Sequence, residues 1–292
     1  MTNRVLIVDG MALLFRHFYA TSLHNQFMYN SKGIPTNGVQ GFVRHIFSAI
    51  KEINPTHVAV CWDMGQQTFR NEMFEGYKQN RPEPPAELIP QFDYVKEISQ
   101  QFGFVNIGVT NYEADDVIGS LAHTYSDNNE VFIITGDRDI LQCINENVEV
   151  WLTKKGFTIY NRYTLDRFKN EYGLEPKQLI DVKAFMGDTA DGYPGVKGIG
   201  EKTAIKLIQN HHSVENVIQN ISTLIPAQQK KINGNINNLH LSKSLAEIHT
   251  QVPLESEQLF NEMAYAHELN EILSICNEHE LYVSGKYLAS NF

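Results

Sequence analysis

The stretch VLIVDG at residues 5–10 has the form of a strand buried on both faces, because four consecutive apolar residues leave no polar face for solvent. Asp9 ends the run. Residues 57–63 and 131–139 repeat this form, and residues 102–107 form a shorter strand-like segment. Helical patterns separate these segments along the chain. The sequence therefore predicts an α/β fold around a parallel sheet with right-handed crossovers.

Acids stand at the predicted strand ends. Asp9, Asp63, Asp137 and Asp139 all follow apolar runs. In open α/β sheets ligands bind beyond the carboxyl ends of the strands, so these side chains should share one edge. A strand-end aspartate can also be a turn or a helix cap, and for any one of them that alternative stays open. Three strands that end in this way are harder to explain by capping.

A second acidic stretch, YEADD at residues 112–116, opens a helical pattern through Val117, Ile118 and Leu121. Acids in a first helical turn also complement the helix dipole, which is the alternative explanation. A third acid adds like-charge repulsion that the dipole does not offset and that a divalent cation would relieve. Because no His or Cys converges with these acids, the pattern favours Mg²⁺ or Mn²⁺ over zinc.

The composition limits the class of protein. The chain has 292 residues, 42% of them hydrophobic, which suits one large domain or a domain with a smaller appendage. Its net charge of −10 does not decide against a nucleic-acid partner, since the acids outside the predicted metal centre nearly balance the 24 Lys and Arg. No apolar run approaches the ~20 residues of a membrane span, and we expect no signal peptide. Three isolated cysteines suit a reducing cytoplasm.

Residues 64–95 interrupt the alternation of strands and helices. Basic and aromatic residues are interleaved there, among them Arg70, Tyr77, Lys78 and Arg81. This mixture suits a strand of nucleic acid, with cations for phosphates and rings for bases. An ordinary amphipathic helix with its aromatic residues in the core is the alternative. Because the segment follows the second strand directly, it would overhang the acids.

A glycine-rich turn, GVKGIG at residues 195–200, lies between two predicted helices. Glycines allow the backbone N–H groups at a helix N-terminus to approach a phosphate closely, and Lys197 and Lys202 suit binding to a duplex backbone. Glycine hairpins also occur as plain helix connections. Asp188 and Asp191, just before the turn, could be carried back to the metal cluster.

Taken together, these segments resemble the bacterial and phage 5′-nucleases, or flap endonucleases, a family that includes the 5′-to-3′ exonuclease domain of bacterial DNA polymerase I. The resemblance covers about residues 4–250 in one collinear order. Its pieces are LIVDG 6–10, TNGVQGF 36–42, WD 62–63, TFR 68–70, YKQNRP 77–82, EADD 113–116, TGDRD 135–139, GD 187–188 with Asp191, and PGVKGIG 194–200. One such piece would be weak evidence, whereas this many in order are strong evidence.

The resemblance implies a PIN-like nuclease core over residues 1–172, with a helical arch at about 64–95. Residues 173–292 would form a helix-hairpin-helix (H3TH) DNA-binding and C-terminal helical region. From the pattern alone, residues 148–159 predict an antiparallel hairpin, and residues 211–292 are predicted to be helical. We expect a standalone enzyme, because no polymerase region follows residue 292.

The resemblance also implies roles for individual residues. The first divalent ion would be held by Asp9, Asp63, Glu113, Asp115 and Asp116, and the second by Asp137, Asp139, Asp188 and Asp191. Lys78 and Arg81 would lie beside the scissile phosphate, with Tyr77 as a stacking surface and Arg70 as a further phosphate contact. Relatives bind K⁺ in the hairpin through backbone carbonyls, and the matching positions are Phe185, Met186, Pro194, Val196 and Ile199. Duplex contacts would come from Gly195, Lys197, Gly198, Gly200, Lys202 and Thr203.

The expected activity is that of a metal-dependent 5′-3′ exonuclease and 5′-flap endonuclease. It would use two Mg²⁺ ions, for which Mn²⁺ could substitute, and would leave 5′-phosphates. Its partner would be DNA with a 5′ flap or a 5′ end at a duplex, and we expect a cytoplasmic monomer. The alternatives are a non-catalytic DNA-junction binding module and a phosphatase with an aspartate nucleophile. Such phosphatases usually carry two acids after the first strand, and this chain has one, Asp9.

Overall fold

A computed structural model describes residues 2–22, 27–65 and 67–292. Its strands form one sheet in the order β3-β2-β1-β4-β5-β6. The first five run parallel, and β6 pairs antiparallel with β5. The predicted parallel α/β sheet and the antiparallel hairpin are therefore confirmed. The strands are β1 (Asn3–Asp9), β2 (His57–Cys61), β3 (Val105–Ile107), β4 (Asn129–Thr135), β5 (Val148–Lys155) and β6 (Ile159–Tyr163).

Helices connect the strands and make up most of the chain after β6. The first five are α1 (Gly10–Ser22), α2 (Asn37–Ile53), α3 (Phe69–Met73), α4 (Ile89–Gln101) and α5 (Ala114–Tyr125). Those after the sheet are α6 (Leu165–Tyr172), α7 (Leu179–Met186), α8 (Glu201–His211), α9 (Val214–Gln219), α10 (Pro226–Asn233), α11 (Ile236–Ala246), α12 (Ser256–Glu262), α13 (Leu269–Glu278) and α14 (Tyr282–Asn291). In the described part of the chain, none of these helices has the length and apolar character needed to cross a membrane.

Strand β1 explains why the central strands are apolar throughout. Its side chains alternate between two cores, because successive residues of a strand point to opposite faces of the sheet. Val5 and Ile7 pack on the face that α5 covers, whereas Leu6 and Val8 pack on the face covered by α1, α2 and α4. With helices on both faces, neither face of the strand tolerates polar residues. In β1 the polar residues are consequently confined to the ends, with Asn3 and Arg4 at the start and Asp9 at the finish.

The predicted arch segment, residues 64–95, is helical only in α3 and in the start of α4 among its described residues. Helix α3 begins after Thr68, whose backbone N–H donates to the side-chain oxygen of Asn71 at 2.9 Å. Turns and an extended stretch with three prolines follow, because proline at these positions cannot continue a helix. Between these two helices the segment is irregular, and it folds down onto the acids.

Helices α13 and α14 return to the sheet and the helices that cover it. The Ser284 hydroxyl donates to the backbone carbonyl of Gln40 in α2 at 2.8 Å, and the hydroxyls of Tyr287 and Ser48 lie 3.0 Å apart. Ile272 and Leu288 join the apolar core on the α2 face of the sheet. The last two helices are therefore packed on the core predicted for residues 1–172, and the division at residue 172 stays a prediction.

Candidate acidic site and nucleic-acid interface

Three parallel strands bring aspartates to one edge of the sheet, as the sequence predicted. Asp9 closes β1, and its carboxylate accepts hydrogen bonds from the Ala12 amide at 2.9 Å and from the Thr135 hydroxyl at 2.6 Å. Asp63 follows β2 and accepts from the Ala114 amide at the start of α5 at 2.8 Å. Backbone and hydroxyl donors thus fix the direction of these carboxylates before any ligand binds.

The charges of this group act on one another. Burial, with a smaller contribution from the carboxylates of Asp63 and Asp137, raises the pKa of Asp9 to about 6 against the hydrogen bonds that it accepts. Burial, then Asp137 and Asp9, raises the pKa of Asp115 well above its ordinary value. A low-dielectric site with several carboxylates disfavours their charged forms. A divalent cation is the group that would relieve this repulsion.

Helix α5 begins at a reciprocal cap made by two of the predicted ligands. The Glu113 amide donates to Asp116 at 3.0 Å, and the two residues form a capping box. Asp116 is fully buried. Arg70 donates to both of its carboxylate oxygens, at 2.7 and 2.8 Å, and the His249 amide donates to one of them at 2.8 Å. The Asp116 oxygens are therefore engaged by protein groups, and its role as a metal ligand stays a prediction.

Arg70 does not lie where a phosphate could reach it. Only 2% of the residue is exposed. Besides its bonds to Asp116, it donates to the backbone carbonyls of Leu245 at 3.1 Å and Glu247 at 2.7 Å. In this arrangement the buried guanidinium has no donor left at the surface, and a phosphate contact by Arg70 stays a prediction. Arg70 instead ties α3 to α5 and to the end of α11.

Tyr77 is also buried, with 3% of the residue exposed. Its hydroxyl donates to Glu113 at 3.0 Å, and its ring packs with Tyr193 and Leu245 in a small apolar cluster. The predicted stacking surface is therefore not available, because both faces of the ring belong to the protein interior. Tyr77 orients Glu113 instead.

Lys78 and Arg81 reach the acids directly. Lys78 Nζ lies 2.6 Å from Glu113 Oε1, and Arg81 Nη2 lies 2.6 Å from Asp191 Oδ1. Although burial opposes its charge, the neighbouring Glu113 raises the pKa of Lys78. Lys78 has a backbone φ of 58°, in the left-handed region that non-glycine residues rarely adopt, and its amide donates to the Asp191 carbonyl at 2.8 Å. Both cations thus occupy positions over the acidic cluster.

A second acidic group gathers around a lysine that the sequence analysis missed. Lys183 Nζ, on α7, lies 2.9 Å from Asp139 Oδ1 and also pairs with Asp188. Burial and the Asp137 carboxylate raise the pKa of Asp139 to about 6. Asp188 accepts from the Asp191 amide at 3.1 Å, which closes the turn between the two acids. The only local signal for Lys183 is its place on the helix that leads into Asp188.

These acids do not form a closed metal-binding group as they stand. Over residues 2–22, 27–65 and 67–292, no three His, Cys, Asp or Glu side chains come together closely enough to hold an ion. The chemistry of the donors nevertheless fits Mg²⁺ or Mn²⁺, because they are carboxylates at strand and helix ends. Burial and, after it, neighbouring carboxylates raise the pKa of Asp9, Asp115 and Asp139, which is the environment that a bound divalent cation would relieve.

The glycine hairpin follows the second acidic group and leads into α8. Gly195 and Gly198 have φ values of 58° and 83°, which glycine adopts without strain. A Cβ on Gly195 would lie 2.3 Å from the Gly187 amide nitrogen, so only glycine fits this close approach. Gly195 is buried, and its N–H donates to the Ser242 hydroxyl at 3.0 Å. Its predicted DNA contact is therefore corrected: Gly195 serves the turn.

Other predicted hairpin contacts face solvent. Lys197, Gly198, Gly200 and Lys202 are exposed, and Thr203 is half-buried at the start of α8. The predicted potassium positions differ in burial: Phe185, Val196 and Ile199 are buried, whereas Met186 and Pro194 are exposed. The Phe185 carbonyl already accepts from the Val196 amide at 2.7 Å.

The fold and these acids define a class of proteins, the nucleases that act from 5′ ends, and comparison with known sequences gives the family. The chain belongs to the 5′-3′ exonuclease family, whose N-terminal resolvase-like domain matches residues 4–173 and whose C-terminal SAM-fold domain matches residues 174–267. It is 52% identical over 252 residues to the 5′-3′ exonuclease of Bacillus subtilis, covering 86% of this chain and 85% of that protein. The chain is therefore a nuclease of this family.

Longer relatives and solved structures agree with this assignment. The chain is 40% identical over 259 residues to DNA polymerase I of Lactococcus lactis, covering 87% of this chain and 29% of that protein. A structure of the T5 5′-exonuclease with bound zinc ions has a TM-score of 0.68 at 22% identity, covering 96% of this chain and 99% of the other. The catalytic core of Rad2 in complex with DNA substrate has a TM-score of 0.59 at 16% identity, covering 100% and 92%. These two structures show the same fold.

Proposed function

We propose that this nuclease hydrolyses DNA phosphodiester bonds near junctions between a 5′ single strand and a duplex, leaving 5′-phosphates. The observation that carries the proposal is that acids from three strand ends and from the start of α5 gather at one edge of the sheet, directly below Lys78 and Arg81 and beside the glycine hairpin. Cleavage chemistry and duplex binding would then share one surface. Similarity to the T5 enzyme with bound metal ions supports the same activity.

The residues that would hold two divalent ions form two sets. Asp9, Asp63, Glu113 and Asp115 would supply the first, and Asp137, Asp139, Asp188 and Asp191 the second. When bound, such ions lower the pKa of a water molecule and stabilise the leaving oxygen of an in-line displacement. We assign Asp116 a positioning role for α5 while it is paired with Arg70, and a ligand role only if Arg70 releases it.

The chain's own cations would complete the site. Lys78 and Arg81 are held over the acids, and a substrate phosphate in the same place would offer them an alternative partner. When the side chains of Lys78 and Arg81 pair with the phosphate instead of the carboxylates, they would neutralise the negative charge that develops on the phosphate during cleavage. Before the divalent ions bind, Lys183 would hold Asp139 and Asp188 close together.

The hairpin would bind the duplex backbone through its exposed residues. Lys197 and Lys202 would supply charge, and the exposed backbone at Gly198 and Gly200 would let a phosphate approach. We keep K⁺ in the hairpin as part of the proposal, with carbonyl ligands from among Phe185, Met186, Pro194, Val196 and Ile199. We further propose that the protein is a monomer and that it is cytoplasmic. The free thiols of Cys61, Cys143 and Cys276 suit a reducing compartment.

A labelled duplex with a 5′ flap tests this proposal. We expect Mg²⁺-dependent cutting at or within about one nucleotide of the junction, abolished by chelator. Cut sites and product ends are read on a sequencing gel, and Mn²⁺ is tested in parallel. Tight binding without cutting in either metal would instead favour a junction-binding module. Cutting that survives complete chelation would contradict the metal-dependent mechanism.

A further inference from the structure

Helix α10 places a lysine against the glycine hairpin. Lys231 Nζ donates to the backbone carbonyl of Gly198 at 2.9 Å, across 33 residues of sequence. A Cβ on Gly198 would lie 2.9 Å from the same Nζ, so the glycine leaves room for this ammonium. Both residues are exposed. The contact therefore fixes a positive charge at the rim of the surface that we propose binds the duplex.

Lys231 is one of five exposed lysines carried by the hairpin, α8 and α10. Exposed lysines from three elements lie in the hairpin, α8 and α10, and no ion pair involves any of them within the described ranges: they are Lys197, Lys202, Lys206, Lys230 and Lys231. Lys243 on α11, by contrast, pairs with Asp181 and Glu215. In a chain of net charge −10, such a group is a local reversal of sign. Unpaired lysines of this kind are suited to phosphates.

A simpler reason for Lys230 and Lys231 is that they lie in the last turn of α10, where cations complement the helix dipole. That reason does not account for the position of Lys231, whose ammonium bonds a carbonyl of the hairpin. Nor does it account for the three other lysines, which lie outside α10.

We infer that α10 is a second duplex-binding element, in which Lys230 and Lys231 contact DNA phosphates beside those held by the hairpin. The inference rests on the proposed function, since it needs a duplex on the hairpin. Lys231 serves two purposes in this arrangement, because it supports the Gly198 loop and presents its charge to the backbone. Lys230 contributes charge alone, and its removal therefore isolates the electrostatic contribution.

The salt dependence of duplex binding tests this role without any cleavage. Fluorescence anisotropy of a labelled blunt duplex, with the full chain in EDTA, gives the slope of log K against log salt concentration. We expect K230Q and K231Q each to reduce that slope by about 0.9, as loss of one phosphate contact does. K202Q in α8 should do the same, and K231R should restore the wild-type slope. As a control, K286Q replaces an exposed lysine on α14, away from the hairpin and α10 in sequence, and should leave the slope unchanged.

The outcomes separate this inference from the proposed function. A reduced slope for K202Q with unchanged slopes for K230Q and K231Q would leave the hairpin as a duplex site and overturn the role of α10. Weaker binding by K231Q at an unchanged slope, with K230Q like wild type, would also overturn it, because Lys231 would then only support the loop. A wild-type chain that binds no duplex at all would contradict the proposed function, and this inference with it.

Discussion

Arg70 and Asp116 form a bidentate ion pair in the interior of the protein, with Nη1 and Nη2 at 2.7 and 2.8 Å from the two carboxylate oxygens. Their side chains are 3% and 0% exposed. The pair joins α3, which precedes Lys78 in the chain, to the first turn of α5, which begins after Glu113. The position of the acids relative to the cations above them therefore depends on this contact.

Removing the arginine should destabilise the protein strongly. In R70M the buried Asp116 carboxylate loses its counter-charge, and breaking a buried pair in this way costs about 3–5 kcal/mol. Urea unfolding followed by circular dichroism measures the change. As a control, E130Q breaks the pair between Arg4 and Glu130, whose side chains are 43% and 50% exposed, and should cost less than about 1 kcal/mol. Equal stability of R70M and wild type would contradict the structural role of the pair.

The second acidic group should be required for turnover and not for binding. D139A removes a carboxylate that pairs with Lys183 and that we propose as a metal ligand, so cleavage of a flap duplex should be abolished. Affinity for the uncut duplex, measured in EDTA, should stay within a factor of about two, because the hairpin surface is unchanged. D127A, on the loop after α5, is the matched control and should cut normally. Undiminished cleavage by D139A would remove this residue from the mechanism.

Lys78 should act on the reaction rate. Its ammonium lies 2.6 Å from Glu113, over the acids, and K78A removes a charge that could stabilise the phosphate during cleavage. Loss of a single electrostatic contact of this kind costs about 10²-fold in rate. Single-turnover cleavage at saturating enzyme measures the chemical step, with K286A on α14 as the control. A wild-type rate for K78A would show that the contact with Glu113 has only a structural role.

The metal-free protein should lose stability through Asp9 as pH rises. Because burial raises the pKa of Asp9 to about 6, the folded chain keeps this proton between about pH 4 and pH 6 while the unfolded chain has released it. The free energy of unfolding therefore falls through that window, by about 1.4 kcal/mol per unit of pKa difference.

The comparison with D9N isolates this effect from all other titrating groups. Urea unfolding in EDTA at pH 4, 5, 6 and 7 should show wild type losing stability relative to D9N as pH increases. Adding Mg²⁺ at pH 7 should stabilise wild type more than D9N, since the carboxylate is then neutralised by the ion. A constant difference between the two proteins across the range would contradict a raised Asp9 pKa.

The local patterns of the sequence were sufficient for the sheet and for the placement of its acids. Apolar runs such as residues 5–8 predict buried strands, and the carboxyl ends of parallel strands share an edge, so Asp9 and Asp63 had to lie near one another. The glycine turn was equally readable, because Gly195 and Gly198 adopt backbone angles that other residues avoid.

The partners of charged and aromatic residues were not readable in the same way. Arg70 and Tyr77 have the composition of a nucleic-acid surface, yet both are buried against acids that lie 46 and 36 residues further along the chain. Lys183 bridges Asp139 and Asp188, and its local sequence signals only that it lies on the helix leading into Asp188. No periodic pattern in the sequence predicts which charged side chains form ion pairs with one another.

The sequence by itself therefore determined which segments form buried strands, where the acids lie at strand and helix ends, and where the glycine hairpin lies. Each of these depends on the period and turn chemistry of a few neighbouring residues. Only the tertiary structure decided that Arg70 is paired inside the protein, that Lys183 lies between two acids, and that Lys231 reaches the Gly198 carbonyl. These contacts join distant elements, and their geometry depends on how the helices pack against the sheet and against one another.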